Sequence, residues 1–399
     1  MADLALRLWR HGYDALPTLR PAHDASDVFT TRMLGRRAVV VRGAEWARLF
    51  YDEGLVSREK ALPPPLAGLL FGKGAVHRLD GDQHAGRKAL LMRVLAPERV
   101  DELVRQVGED LDRAVQDWRG RTDVVVHEEL LRVYGAAVQT WAGTGLSGSD
   151  VDALSRDLFR IVDGFGAAGR AYPRAWAARL RTDRVVRRIL KDVEEGRQRA
   201  WPGTAVAEIA AAIGPDLPLD VAAVELVNVL RPTVAVTWLA THGALALAEH
   251  PEWREAVAGD PACLESFAQE VRRLTPFVPA LAGRLKGTLA RDGLRAHRGD
   301  FIVLDVPATD TDPRVYDRPH ELVPDRFVDG MPDPYEFLPQ GGGHPEAGHR
   351  CPGERVAMGL LTQTFRVLAG CTLDVLGDRT VDRERIPTLP GGGLRLRVR

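Results

Sequence analysis

The longest periodic stretch of the chain, Asp220 to His250, sets the strongest limit on its fold. Val221, Val224, Leu226, Val229, Leu230, Val234, Trp238 and Leu245 recur at helical spacing, which predicts one long apolar helix at the centre of the protein. Arg231-Pro232 stands inside it. A proline within a helix removes one hydrogen bond and tends to kink the chain, at about 3 kcal/mol. A guanidinium on such a helix must reach water or find an anion, because an unpaired buried charge is strongly unfavourable. The positions three and four away are Val227, Asn228, Val234 and Ala235, and Glu225 is six positions away. Arg231 is therefore expected to pair with an acid from elsewhere in the chain or with an anion from outside it.

The rest of the pattern is also α-rich. Residues 37 to 50 read as a short strand followed by a helix. From about 83 to 250 the pattern is helical, with breaks at Gly143 to Gly148, Tyr172-Pro173, Trp201 to Gly203 and Gly214 to Pro218. Strand-like pieces return at 301 to 306. At the C-terminus Leu394, Leu396 and Val398 alternate with arginines after Pro390-Gly-Gly-Gly393. No linker or internal repeat divides the chain, so a single domain is expected.

A second segment carries chemistry. Phe337-Leu-Pro-Gln-Gly-Gly-Gly-His-Pro-Glu-Ala-Gly-His-Arg-Cys351-Pro-Gly-Glu354 ends a glycine-rich approach on a cysteine. It leads into Val356, Leu360, Leu361, Phe365 and Leu368, a buried helix ending near Gly370. A thiol at a helix N-terminus faces unpaired N–H groups, which favours the thiolate, a strong ligand for a soft metal. Gly341 to Gly343, with Pro345 and Gly348, predict that something flat approaches the backbone closely. Taken alone, the residue also fits an ordinary buried cysteine.

The loop resembles the cysteine loop of the cytochrome P-450 superfamily, in which the thiolate is the axial ligand of haem iron. A second resemblance supports it. Asp260-Pro261 starts a helix that Pro276 stops, and on it Glu270 and Arg273 share one face. With Pro324-Asp-Arg-Phe327 these are similar to the superfamily's Glu-x-x-Arg motif and its Pro-x-Arg-Phe segment. The resemblance implies a mainly α fold, a cytochrome P-450-like single α-rich domain over 1–399 with small β regions. It implies haem b (iron protoporphyrin IX) on Cys351, and a structural network of Glu270, Arg273 and Arg326.

Most members carry an acid and a threonine where this chain has Arg231-Pro232, and neither residue here relays protons at neutral pH. The substitution resembles the fatty-acid peroxygenase and decarboxylase family. So do Asp27 to Arg32, Leu70 to Gly74, Leu79 to Gly81, His84 to Lys88, Val162 to Gly166, Glu225 to Pro232 and Gln269 to Arg273. That family implies a fatty acid substrate anchored through its carboxylate by Arg231, and hydrogen peroxide as oxidant without a redox partner protein. The products would be 2- or 3-hydroxy acids, 1-alkenes, or both. The resemblance places Arg231, Pro232 and His77 at the reaction and leans towards alkene formation on account of His77. Phe71, Phe165, Gly166, Ala167, Ala168 and Asn228 would line the pocket; core packing is the alternative for Phe71 and for Phe165 to Ala168. His84, Lys88 and His349 would meet the haem propionates, with ordinary surface placement as the alternative.

Composition excludes other classes. Lys and Arg total 54 against 55 Asp and Glu, so no global field favours nucleic acid or an anionic membrane. Three cysteines, odd in number, fit a reducing compartment. The first residues lack a signal-peptide core, and no apolar run of about 18 residues suggests a span. A soluble cytoplasmic protein is expected. Two other readings remain open on sequence: a reductase-dependent monooxygenase acting on another small molecule, and a haem-binding protein without turnover.

Overall fold

The computed structural model describes residues 3–20, 26–167, 169–291 and 293–399. Its spine is the helix Leu219–Glu249, 31 residues long, which continues through Pro232. Proline withholds one N–H from the carbonyl of Asn228, yet the surrounding packing holds the segment helical. Val227, Leu230, Val234 and Ala240 are fully buried. A helix apolar on all sides has to be enclosed. Here Val126–Ala142, Ala171–Glu194 and Glu354–Ala369 enclose it. Leu226, Leu230 and Val234 share one core with Leu130, Val138, Leu360 and Phe365.

The boundaries follow local chemistry. The Asp260 side chain accepts the Ala262 N–H at 2.8 Å and caps the helix Pro261–Leu274. Gly143, in the left-handed conformation, ends Val126–Ala142. Tyr172-Pro173, expected as a break, instead lies in the first turn of Ala171–Glu194. A first-turn N–H has no partner within its helix, so proline costs little there.

The β portion joins distant parts of the chain. Five strands run in the order Val28–Met33, Arg36–Val41, Phe301–Asp305, Ala280–Leu285, Val56–Ser57. Arg36–Val41 pairs in parallel with Phe301–Asp305, setting Val40 opposite Val303, while the other pairings are antiparallel. A smaller sheet holds Arg395–Val398 between Val124–Val125 and Leu373–Val375. Among the described residues no helix is long and apolar enough to cross a membrane. Cys263, Cys351 and Cys371 are free thiols.

Candidate active site

The cysteine loop is held by paired charges and backbone hydrogen bonds. Cys351 N–H donates to the Gln340 carbonyl at 2.9 Å. Arg350 donates to the Gly343 carbonyl at 2.7 Å and to both carboxylate oxygens of Glu354, at 2.7 and 2.9 Å. Buried Arg272 reaches the same carboxylate at 2.5 Å. One helix residue thus ties two arginines to the loop's end, and burial's upward push on Glu354 is outweighed by these bonds and charges, which hold its carboxyl below the usual range. Lys88 donates to the carbonyls of Gly348, at 3.1 Å, and Arg350.

One loop expectation is corrected. The helix begins at Glu354 rather than at the cysteine, and burial pushes the Cys351 thiol up, opposed in part by the Gly353 N–H. Burial thus opposes the thiolate, which a cation facing it would favour. The glycines answer side chains of the protein itself. Gly341 has φ +99°, and a Cβ there would lie 2.8 Å from the Tyr51 hydroxyl; one at Gly342 would lie 2.9 Å from the Tyr335 ring. Tyr51 and Tyr335 thus pack against this glycine run.

On the facing wall the central helix presents Arg231, 5% exposed. Its Nη1 donates to the Leu70 carbonyl at 2.7 Å and its Nη2 to Asn228 Oδ1 at 3.2 Å, while its Nε is buried without a partner. Leu70 ends the helix Pro64–Leu70, whose last carbonyls lack helical donors, so the guanidinium serves as a cap. The acid partner considered from sequence is missing: among the described residues no carboxylate pairs with Arg231. Burial and the charge of nearby Arg179 push its pKa down to about 9, which leaves it charged at neutral pH.

Arg179 was not singled out from sequence. Fully buried, it pairs with Asp183 at 2.9 Å and also approaches the Leu70 carbonyl, at 3.5 Å. Gly72, at φ +90°, leaves room for it: a Cβ there would collide with the Arg179 guanidinium. Glu225 is a second unforeseen anchor, accepting from the Val76 N–H at 2.8 Å, Arg87 at 2.7 Å and Asn228 at 3.2 Å. Asn228 also donates to the Phe71 carbonyl at 3.1 Å.

Cys351 and Arg231 open onto one cavity of about 330 Å³, lined also by Pro232, Phe71, His77, His84, Lys88 and His349. His77 stacks on Phe71, with centroids 4.2 Å apart, and its Nδ1 is buried without a partner. Burial, then the charges of Arg231, His84 and Lys88, lower its pKa to about 3, so the ring is neutral. His84 stacks on His349 at 4.0 Å, and both face Glu53, at 3.4 and 3.6 Å. Other expected pocket residues lie elsewhere. Asn228 is outside the lining and positions Arg231 instead. Phe165, Gly166 and Ala167 are also outside it; a Cβ on Gly166 would collide with the Ile386 carbonyl, whereas Val162, one turn earlier, does line the cavity. Ala168 lies outside the described residues.

The Glu270 network forms as expected. Arg273 binds the carboxylate through Nε at 2.6 Å and Nη2 at 2.7 Å, Arg326 adds 2.9 Å, and the Val323 N–H 3.0 Å. Arg273 also reaches the carbonyls of Asp310 and Pro319, fastening the meander ahead of the cysteine loop.

These residues fit haem. A flat macrocycle with two carboxylate arms needs a soft ligand on one face, apolar walls, and donors at its edge. Cys351, then Leu91, Ala235, Leu338 and Ala357, then His84, Lys88 and His349 supply those three. The unpartnered Nε2 of His349 is the kind of buried polar atom that a propionate would satisfy.

No family model matches the chain. A mycobacterial protein, cytochrome P-450 137 of Mycobacterium tuberculosis, is 32% identical over 149 residues; the match covers 36% of this chain and 30% of that relative. Cytochrome P-450 138 of Mycobacterium bovis is 23% identical over 354 residues, covering 80% of this chain and 76% of the relative. Solved structures match the whole fold. Cytochrome P450SP alpha (CYP152B1) in complex with (R)-ibuprophen has a TM-score of 0.93 at 32% identity, covering 100% of this chain and 99% of its own. Ligand-free cytochrome P-450 OleT has a TM-score of 0.93 at 30% identity, covering 100% and 97%. An OleT variant was solved with arachidonic acid. With a mainly α fold shared along its full length, the chain belongs to the cytochrome P-450 superfamily, among the haem-binding oxidoreductases of the CYP152 group that includes P450SP alpha and OleT.

Proposed function

We propose that the chain is a haem-thiolate peroxygenase that uses hydrogen peroxide to oxidise medium- to long-chain fatty acids at the α or β carbon. The products are 2- or 3-hydroxy acids, 1-alkenes, or both. One observation carries this reading: Arg231 is buried and charged, has no carboxylate partner among the described residues, and lines the same cavity as Cys351. Bound haem b supplies peroxide-activating iron, with Cys351 as the thiolate ligand that favours O–O cleavage.

The chain's own groups do the rest. Nη1 and Nη2 of Arg231 each spend one N–H on Leu70 and Asn228, while the Nε proton stays free. The guanidinium therefore keeps donors for a carboxylate in a fork fixed before the acid arrives. Pro232 has no N–H and Arg231 cannot give up its proton readily, so the helix offers no relay at this point. The anchored carboxylate takes that role, holding and moving the proton during peroxide cleavage. Pinning it also sets the α and β carbons nearest the reaction. Neutral His77, with a free Nδ1, stands beside that position and biases the split between hydroxylation and decarboxylation. Apolar walls from Phe71, Ala235 and Val236 keep water out.

In this reading no redox partner protein is required and the protein works in the cytoplasm, in keeping with its free thiols. The carboxylic acids bound by P450SP alpha and by the OleT variant support an acid as substrate. The test is direct. Purified holoprotein is given hydrogen peroxide and saturated acids of several lengths, and the products are resolved into 2-hydroxy acids, 3-hydroxy acids and 1-alkenes. Turnover that needs ferredoxin, reductase and NADPH, and fails with peroxide, would overturn the reading.

A further inference from the structure

A second cavity, about 670 Å³, lies next to the first and shares Leu239, Thr275 and Phe277 with it. Both lie along one stripe of the central helix. Arg231, Ala235, Trp238, Leu239 and His242 follow the three- and four-residue spacing of a single helical face. At 1.5 Å per residue, Trp238 stands roughly 10 Å and His242 roughly 16 Å beyond Arg231 along the axis. An extended chain whose carboxylate sits on Arg231 and whose tail follows this face meets the Leu239–Phe277 partition and then the second cavity.

That cavity is not a plain hydrocarbon slot. Trp238 Nε1 and Thr388 Oγ1, both on residues that line it, are buried without hydrogen-bond partners. Trp238 is 1% exposed and Thr388 8%, so water at the surface does not satisfy them. An indole N–H is a donor only, whereas a threonine hydroxyl both donates and accepts. The arginines of the lining are already answered: Arg20 by Asp305, Arg42 by Asp27, Arg273 by Glu270 and Arg383 by Asp14. Among the described residues no arginine of the lining is left over for a second carboxylate. The matching ligand group is a neutral oxygen that accepts from the indole and exchanges a hydrogen bond with the threonine.

We infer that the second cavity is a tail subsite for the far end of the substrate, built for a hydroxyl, so that ω-hydroxylated long-chain acids bind better than plain ones. The inference rests on the fatty-acid reading of Arg231 and deepens it.

Holoprotein is titrated with saturated acids of graded length, their ω-hydroxy counterparts and the matching dicarboxylic acids, following the haem absorbance shift. At the length that spans the partition, the ω-hydroxy acid is expected to bind about fivefold tighter than the plain acid, the worth of roughly one buried hydrogen bond. The dicarboxylic acid is expected to bind more weakly than the ω-hydroxy acid. Trp238→Phe keeps an aromatic ring and removes the donor, and the ratio of the two dissociation constants should fall to about one; Thr388→Val should lower it in part. A ratio near one at every length in the wild type, or a preference that survives both substitutions, overturns the subsite. Tightest binding by the dicarboxylic acid overturns the assignment of a neutral group. Plain acids that bind normally without an ω-hydroxy preference sink this inference alone, whereas failure of every acid to bind removes the fatty-acid reading with it.

Discussion

Two buried arginines, Arg273 and Arg231, show how differently one side chain can be used. Arg273 lies on the same helix as its carboxylate and shares Glu270 with Arg326; Arg273 and Glu270 are wholly inaccessible. Arg231 rests on a carbonyl and an amide oxygen, with no acid among the described residues. The first arrangement closes its own charge and can only hold structure together. The second leaves a charge open, and on the proposed function the fold bears that cost in order to receive a carboxylate.

The largest expected effect comes from breaking the closed case. Arg273→Ala leaves Glu270 buried with two of its four hydrogen bonds gone, a loss of about 3–5 kcal/mol. It should appear as failure to accumulate folded, haem-loaded protein, measured by denaturant unfolding and haem content. Arg231→Ala should do the opposite to stability. Its lowered pKa means that folding disfavours the charged form, so the charge opposes folding below about pH 9, and the penalty fades as pH rises towards the unfolded value. The variant should unfold at the same denaturant concentration as the wild type or a higher one. If it is as damaged as Arg273→Ala, the contrast is lost.

Function should reverse the order. Arg231→Ala is expected to lower kcat/KM for peroxide-driven acid oxidation by about 10²–10³-fold while keeping the haem spectrum. Next comes pH. Acid binding needs the guanidinium protonated, so affinity should hold level near neutrality and weaken as pH rises through about 9, read from dissociation constants across that range. Asn228→Ala removes the side chain that steadies Nη2 and should raise KM about tenfold with a smaller change in kcat. The smallest effect is expected at His77→Gln, which should shift products from 1-alkene towards hydroxy acids with little change in total conversion.

The sequence exposed what is written locally. Glu270 and Arg273 are three residues apart on one helix, Cys351 ends a glycine-rich run, and Arg231 sits conspicuously in an apolar stretch, so each was readable before any contact was known. The partners were not. Arg231 is held by a carbonyl 161 residues away, and the glycines make room for Tyr51 and Tyr335. Asn228 was placed at the cavity by likeness; its helical position gives closeness to Arg231 but not which way its amide turns. Phe165 to Ala167 were placed at the cavity by likeness, but Ile386, from a distant segment, fills the space over Gly166.

The short stretch from Leu70 to His77 has a consequence for how such a protein can diverge. Its first carbonyl holds Arg231, its second receives Asn228, and Phe71 with His77 forms the wall beside them. Anchor height and ceiling shape are therefore inherited together in eight consecutive residues. On the proposed function, exchanging that one cassette would change regioselectivity with the central helix and the cysteine loop left as they are.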